Sequence, residues 1–247
     1  DGQKRVIKMN SKSDFPRMFE KEAMGLAELR DSFYCPEVFE TNEHENWQYL
    51  MLEFLEESPK KEDFWIVFGN KLAKMHENTS KNYGFTESNY IGSLVQTNTQ
   101  HDSWENFLIE ERLAPMIEMA VNSGEVNYIE SKIIEGFYKR INEIYPEEKP
   151  ALLHGDLWSG NYLSSRKGPA LIDPAVYYGH REMDLGMMHL FGGFSDELFE
   201  TYNEIFPLEN NWRNRISINQ LYPLLVHLNL FGRSYWNQVY SILKPFS

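Results

Sequence analysis

Cysteine is nearly absent from this 247-residue chain: Cys35 stands alone. A lone thiol allows no disulfide within the chain and suits a reducing compartment, with cytoplasm as the default. No uninterrupted apolar run is long enough to span a bilayer, and the opening Asp1-Gly2-Gln3-Lys4-Arg5 is not a signal peptide, so no membrane partner is expected. There is no CxxC, no HExxH and no His-rich tract, and the 7 histidines are scattered, which leaves little basis for a zinc site. Positive charge is scarce as well. With 24 Lys and Arg against 37 Asp and Glu, the formal net charge of −13 argues against a nucleic-acid partner, although a nucleotide needs only a local positive patch. Internal repeats and low-complexity tracts are also missing, and no glycine-rich loop precedes Lys8.

What is present is enough apolar material for one large domain or two small lobes, at 42% hydrophobic residues. The 15% aromatic content suits stacking on a sugar, though for any single ring core packing is the commoner role. The most informative stretch is His154-Gly155-Asp156-Leu157-Trp158-Ser159-Gly160-Asn161, followed by Leu171-Ile172-Asp173-Pro174. An aspartate with an asparagine five residues on, then a second aspartate closing a short apolar run, has the spacing of a kinase catalytic loop and its metal-binding strand. Asp156 would take or orient the proton of an attacking hydroxyl, while Asn161 and Asp173 would hold Mg²⁺ on the phosphates of ATP, because hard cations want oxygen ligands. A lone His-Gly-Asp is weak, since Gly-Asp is common in turns. The flanking runs strengthen it: Ala151-Leu152-Leu153 and Ala170-Leu171-Ile172 read as short buried strands that deliver the polar groups. Gly155 and Gly160 have the glycine spacing of a P-loop, but Asn161 stands where that motif requires lysine. A glycosidase would use paired carboxylates without needing Asn161 at that offset.

Beyond Asp173 the chain continues Pro174-Ala175-Val176-Tyr177-Tyr178-Gly179-His180-Arg181-Glu182-Met183-Asp184-Leu185. Together with the Trp158-Ser159-Gly160 insertion, this resembles the fructosamine/ketosamine 3-kinase family, within the aminoglycoside-phosphotransferase-like and choline-kinase-like kinases. The likeness extends to Phe19-Glu20-Lys21-Glu22-Ala23, to Trp104-Glu105-Asn106-Phe107 with Arg112-Leu113, to Phe191-Gly192-Gly193-Phe194, and to the stretch from Leu221 to Gly232. It implies an α+β, two-lobed protein-kinase-like fold, with a small antiparallel-sheet N-lobe over 1–55 and a mainly helical C-lobe over 56–247. It also implies ATP- and Mg²⁺-dependent phosphorylation of the 3-hydroxyl of a small-molecule or protein-bound ketosamine, whose 3-phosphate releases the amine. Lys8 would bind the nucleotide phosphates. Glu22 would position Lys8, being nearer than Glu20 to the face shared by Phe19, Ala23 and Leu26. Backbone near Glu53, Phe54 and Leu55 would face the adenine. Trp158 would wall the acceptor pocket, His154 would support the loop, and His180 and Asp184 would buttress it. Rival readings are a kinase for aminoglycosides or other small alcohols, and a non-catalytic nucleotide- or sugar-binding module. Oligomeric state is left open.

Residues 3–9 read as a hairpin strand with Asp1-Gly2 as its turn, so the chain begins inside an element and some N-terminal residues of the lobe are expected to be missing. Val38-Phe39-Glu40 and Gln48-Tyr49-Leu50-Met51-Leu52 read as strands around a polar turn from Thr41 to Asn46. Phe64, Phe68, Leu72 and Met75 recur at helical spacing, as do Val126, Ile129, Ile133, Phe137, Ile141 and Ile144. The polar segment from Asn78 to Ser103 reads as a long loop bordering the acceptor site.

Overall fold

The computed structural model describes residue 2 and residues 4–247. Alternating burial makes β1 (Arg5–Ser11) a strand with one face open, and it pairs antiparallel with β3 (Trp47–Glu53), which places Lys8 opposite Leu50. The turn expected at Asp1-Gly2 involves Asp1 and Gln3, which lie outside the described residues. Helix α1 (Met18–Leu29) buries Phe19, Leu26 and Leu29 on one face. Strand β2 (Val38–His44) then pairs with β3 to complete a sheet of order β1-β3-β2. The turn expected over Thr41 to Asn46 is shorter than the polar composition suggested. Polar residues continue β2 to His44 because its outer edge faces solvent, and Glu45 (φ 52°) reverses the chain.

Helix α2 (Phe64–His76) buries Phe64, Phe68, Leu72 and Met75, as their spacing requires. The polar segment after it is more ordered than a loop: it holds the hairpin β4 (Asn89–Ile91) and β5 (Leu94–Gln96). Its polarity has a structural use, because the amides bond inside the protein. Asn89 Nδ2 donates to the Val176 carbonyl at 2.8 Å, Gln96 Nε2 to Asn89 Oδ1 at 2.8 Å, and the buried Arg112 donates to Asn98 Oδ1 at 2.6 Å.

Helix α3 (Trp104–Phe107) passes through a π-helical turn at Leu108–Leu113 into α4 (Ala114–Asn122). The next apolar stripe does not form one helix. A capping box between Asn127 and Glu130 restarts the chain as α5 (Tyr128–Ser131), followed by α6 (Ile134–Tyr138) and α7 (Ile141–Ile144), and the change of phase leaves Ile129 83% exposed. Strands β6 (Ala151–Leu153) and β9 (Tyr177–Gly179) pair antiparallel around the hairpin of β7 (Tyr162–Ser165) and β8 (Gly168–Leu171). Helices α8 (Glu182–Phe191), α9 (Asp196–Ile205), α10 (Trp212–Asn219), α11 (Leu221–Phe231) and α12 (Trp236–Leu243) finish the fold, with α9 on α2 and α10 on α8. One contiguous apolar core runs from Leu26 and Leu50 through Phe68 and Leu153 to Leu225. No described helix is long and apolar enough to cross a membrane.

Candidate active site

At the end of β6 the backbone turns sharply at Gly155 (φ 81°), where a Cβ would run into the Ala175 carbonyl; only glycine fits. His154 and Asp184 hold this turn. The buried Asp184 carboxylate accepts from the backbone N–H of His154 at 2.8 Å and of Gly155 at 3.0 Å, and His76 Nε2 lies 3.3 Å away. The imidazole of His154 accepts from the Asp156 N–H at Nδ1 (3.2 Å), so its proton sits on Nε2, which donates to the Ile172 carbonyl at 2.9 Å. Burial lowers the pKa of His154, against the pull of Asp184, and the ring is neutral. His76, whose Nδ1 meets the Tyr202 hydroxyl at 2.8 Å, has no local sequence pattern to mark it and was missed in the sequence.

Asn161 Nδ2 donates both to the Asp156 carbonyl (2.8 Å) and to its Oδ2 (3.0 Å), which leaves the side-chain oxygen Oδ1 of Asn161 for another partner. Burial pushes the Asp156 carboxyl up to about 6; the Asn161 bond opposes this, while Asp173 and Asp184 add to it. Asp173 adopts a left-handed conformation (φ 54°), which aspartate tolerates better than most residues, and the Ile172 N–H bonded to the Asn161 carbonyl at 3.1 Å keeps the two segments together. Lys8 Nζ lies 2.6 Å from both Glu22 Oε1 and Asp173 Oδ1, whereas Glu20 turns away to Arg17 at 2.7 Å. Burial works against the ammonium of Lys8, but the two carboxylates outweigh it and raise its pKa. Burial pushes Glu22 upward against the pull of Lys8; with an ammonium at 2.6 Å we take the pair as ionised at neutral pH.

Lys8, Glu22, Asp156, Trp158, Asn161 and Asp173 all line one cavity of about 370 Å³, to which the β4–β5 hairpin contributes Asn89, Tyr90 and Gly92. Trp158 is 41% exposed and lies over Gly160, where any Cβ would strike its ring. The remaining expected residues are elsewhere. His180 does not touch the loop: the chain turns at Gly179 into α8 and carries the imidazole toward Glu148 (3.7 Å), between the rings of Trp104 and Tyr145. That neighbourhood borders a larger cavity, about 700 Å³, that contains none of the residues around Asp156. Glu53 and Phe54 line a third hollow with Lys4, Glu37 and Phe39. The Glu53 N–H is already bonded to the Glu37 carbonyl at 2.8 Å, and Leu55 is buried.

Among the described residues no three or more His, Cys, Asp and Glu side chains cluster as a metal cage. The pair facing the cavity, one carboxylate and one amide oxygen, is a sparse all-oxygen set. That fits Mg²⁺, which keeps water and phosphate oxygens in its shell, and does not fit zinc.

The family described as fructosamine kinase matches residues 1–246. A relative from Enterococcus faecium named "Probable ketoamine kinase" is 40% identical over 92% of this chain and 82% of its own length. A rice "Protein-ribulosamine 3-kinase, chloroplastic" is 34% identical over 94% of this chain and 69% of its own. A solved structure from Thermobifida fusca that carries a fructosamine-3-kinase name superposes with a TM-score of 0.88 at 34% identity, covering 99% of this chain and 85% of that one.

Proposed function

Because the chain belongs to the fructosamine kinase family, with its α+β, protein-kinase-like fold, we propose that it transfers the γ-phosphoryl group of ATP to the 3-hydroxyl of a ketosamine, in a Mg²⁺-dependent reaction that leads to loss of the amine. The observation that supports this most directly is the convergence of Lys8, Asp156, Asn161 and Asp173 on one cavity, although they lie on three separate segments of the chain. In this reading Asp156 accepts the proton of the attacking hydroxyl, and a carboxyl pushed up to about 6 is ionised at neutral pH yet basic enough to take it. Asn161 steadies that carboxylate through Nδ2. Asn161 and Asp173 are the residues that would hold Mg²⁺, and the bound ion would supply charge neutralisation for the phosphates. Lys8, fixed by Glu22, contacts the phosphates. The neutral His154 and the buried Asp184 do no proton chemistry; they clamp the backbone that presents Asp156. An adenine near residues 53–55 would have to meet groups beyond the Glu53 N–H, since that donor is occupied.

The direct test is ATP consumption against ribulosamine, fructosamine, aminoglycoside and choline panels, with the phosphate located on the product by NMR. Transfer to the ketosamine 3-hydroxyl is the expected result. Turnover confined to aminoglycosides or choline would assign the same machinery to another acceptor, and nucleotide binding without turnover on any acceptor would leave a binding module.

A further inference from the structure

Lys8 and Lys21 both line the cavity that holds Asp156, but only Lys8 is committed to carboxylates, with Glu22 and Asp173 at 2.6 Å each. Lys21, half-buried near the start of α1, makes no ion pair with any described carboxylate. Its Nζ rests instead over the ring of Tyr90 in the β4–β5 hairpin, 5.3 Å from the centroid. That ring is fixed in place. The Tyr90 hydroxyl donates to the Pro16 carbonyl at 3.0 Å, and Phe15 meets the ring edge-on at 6.4 Å. Arg17 adds a second tie between the two elements, reaching Glu20 at 2.7 Å and Glu87, just before the hairpin, at 3.0 Å. Arg17, Glu20 and Glu87 are spent on one another outside the cavity, so the charge that this corner adds to its lining is that of Lys21.

An ammonium over an aromatic face is held weakly compared with one on a carboxylate, so Lys21 is able to turn to an anion that a ligand brings. The nucleotide phosphates do not need it, since they have Lys8, with Asn161 and Asp173 for the cation. An acceptor with an anionic group does need it. Glu22, Asp156 and Asp173 line the same cavity and the chain carries a net charge of −13, so such an acceptor is repelled unless a cation stands beside it. Resting on the ketosamine-kinase reading, we propose that Lys21 is a specificity-determining residue that pairs with an anionic group on the acceptor, so that the chain favours ketosamines bearing a carboxylate or a phosphate over those without one. The two sources offer the same chemistry, an oxygen anion, at opposite ends of the molecule. The carboxylate belongs to the amine side, where the amine is that of an amino acid, and the phosphate to the far end of the sugar. In the free protein Tyr90 keeps the ammonium in this corner.

The test compares three acceptors on the full chain: the fructosamine of propylamine, that of β-alanine, and the 6-phosphate of the propylamine compound. Lys21→Met keeps the apolar stem and the helix, and should lower kcat/KM for an anionic acceptor by about fivefold, the upper end for a partly exposed ion pair. The loss should fall chiefly on KM, with the plain propylamine compound changed less than about twofold; such a split marks loss of uniform binding energy. Lys21→Arg should retain most of the wild-type value, and the wild-type advantage of the anionic acceptor should shrink between about 50 and 500 mM salt. A loss confined to the β-alanine compound places the amine side against α1, and one confined to the phosphate places the sugar end there. No loss on either anionic acceptor, or equal losses on all three, would overturn the assignment and leave the kinase reading standing. Titration calorimetry without ATP covers the case in which no acceptor is turned over. Binding of an anionic acceptor that weakens in Lys21→Met supports the pairing although the kinase reading fails, whereas equal binding by both proteins, or none by the wild type, removes it.

Discussion

Asp156 carries the sharpest expectation at the scale of single residues. Asp156→Asn keeps the shape and the acceptor for Asn161 Nδ2, so nucleotide affinity should survive while kcat falls by roughly 10² to 10⁴, the usual contribution of a positioned base. Near-wild-type turnover at saturating substrates would remove Asp156 from the mechanism. The same group sets a pH dependence. With its carboxyl at about 6, kcat/KM should fall about tenfold per unit below pH ~6, as the base becomes protonated, and stay flat above it. A cation held beside it would move this limb to lower pH, so a limb well above 6 would contradict the assignment. Trp158 separates two roles by one substitution. Trp158→Ala should raise the acceptor KM with ATP affinity and Tm nearly unchanged if the half-exposed indole is a pocket wall; a large fall in Tm with normal acceptor kinetics would make it a packing residue.

At the scale of elements, the buried ion pair of Arg181 and Glu148 holds in place the start of α8, the helix whose Asp184 clamps the loop. Arg181 Nε and Nη2 donate to the Glu148 carboxylate at 2.8 to 3.1 Å, and the remaining donors reach the Phe206 and Pro207 carbonyls at 2.7 Å each. Burial pushes Glu148 up, but the Arg181 bonds outweigh it and hold the carboxyl below its ordinary range. Its contribution to stability is therefore present above the unfolded carboxyl value, ~4.3, and is lost as pH falls through the lower folded value. Arg181→Gln should cost about 3–5 kcal/mol at neutral pH, the range for breaking a buried pair on one side. In urea titrations the gap to wild type should narrow as pH falls through the lowered folded value of Glu148; a gap independent of pH would mean that packing, not charge, is what Arg181 supplies. The Arg181–Glu148 pairing joins residues far apart in sequence, and so was not legible from local pattern. The strands around His154 and Asp173 were legible, because short apolar runs there end abruptly on polar groups. The β4–β5 hairpin was not: Asn89, Gln96 and Asn98 look like loop residues until one sees that their amides bond one another and the Val176 carbonyl in the interior. His180 was misplaced because adjacency to Asp184 in sequence says nothing about which way the turn before α8 faces.

For the whole molecule the question is whether the strand-rich part before residue 56 and the helical part after it, which we propose as two lobes, melt separately. Several contacts cross that line. The Leu171 N–H donates to the Tyr34 carbonyl at 3.0 Å, Gly25 of α1 packs so closely on Pro174 that a Cβ would lie 3.1 Å from its ring, and Lys8 is paired to Asp173. The apolar core is continuous across it, and a three-stranded sheet with one helix has little core of its own. Calorimetry should therefore show one cooperative transition, with calorimetric and van't Hoff enthalpies equal. Mg²⁺ with ATP, bound by groups from both sides of the line, should move the whole transition upward, by the equivalent of ~2.7 kcal/mol when the ligand is at a hundred times its Kd. Lys8→Met tests the link between the two statements. The Lys8–Asp173 pair is partly exposed and the Lys8–Glu22 pair more buried, so the variant should still melt in one step, at a modestly lower temperature without ligand, while the upward shift with Mg²⁺ and ATP shrinks markedly. Two separated transitions in Lys8→Met would show instead that the Lys8 pairs, and not the shared core, join the lobes.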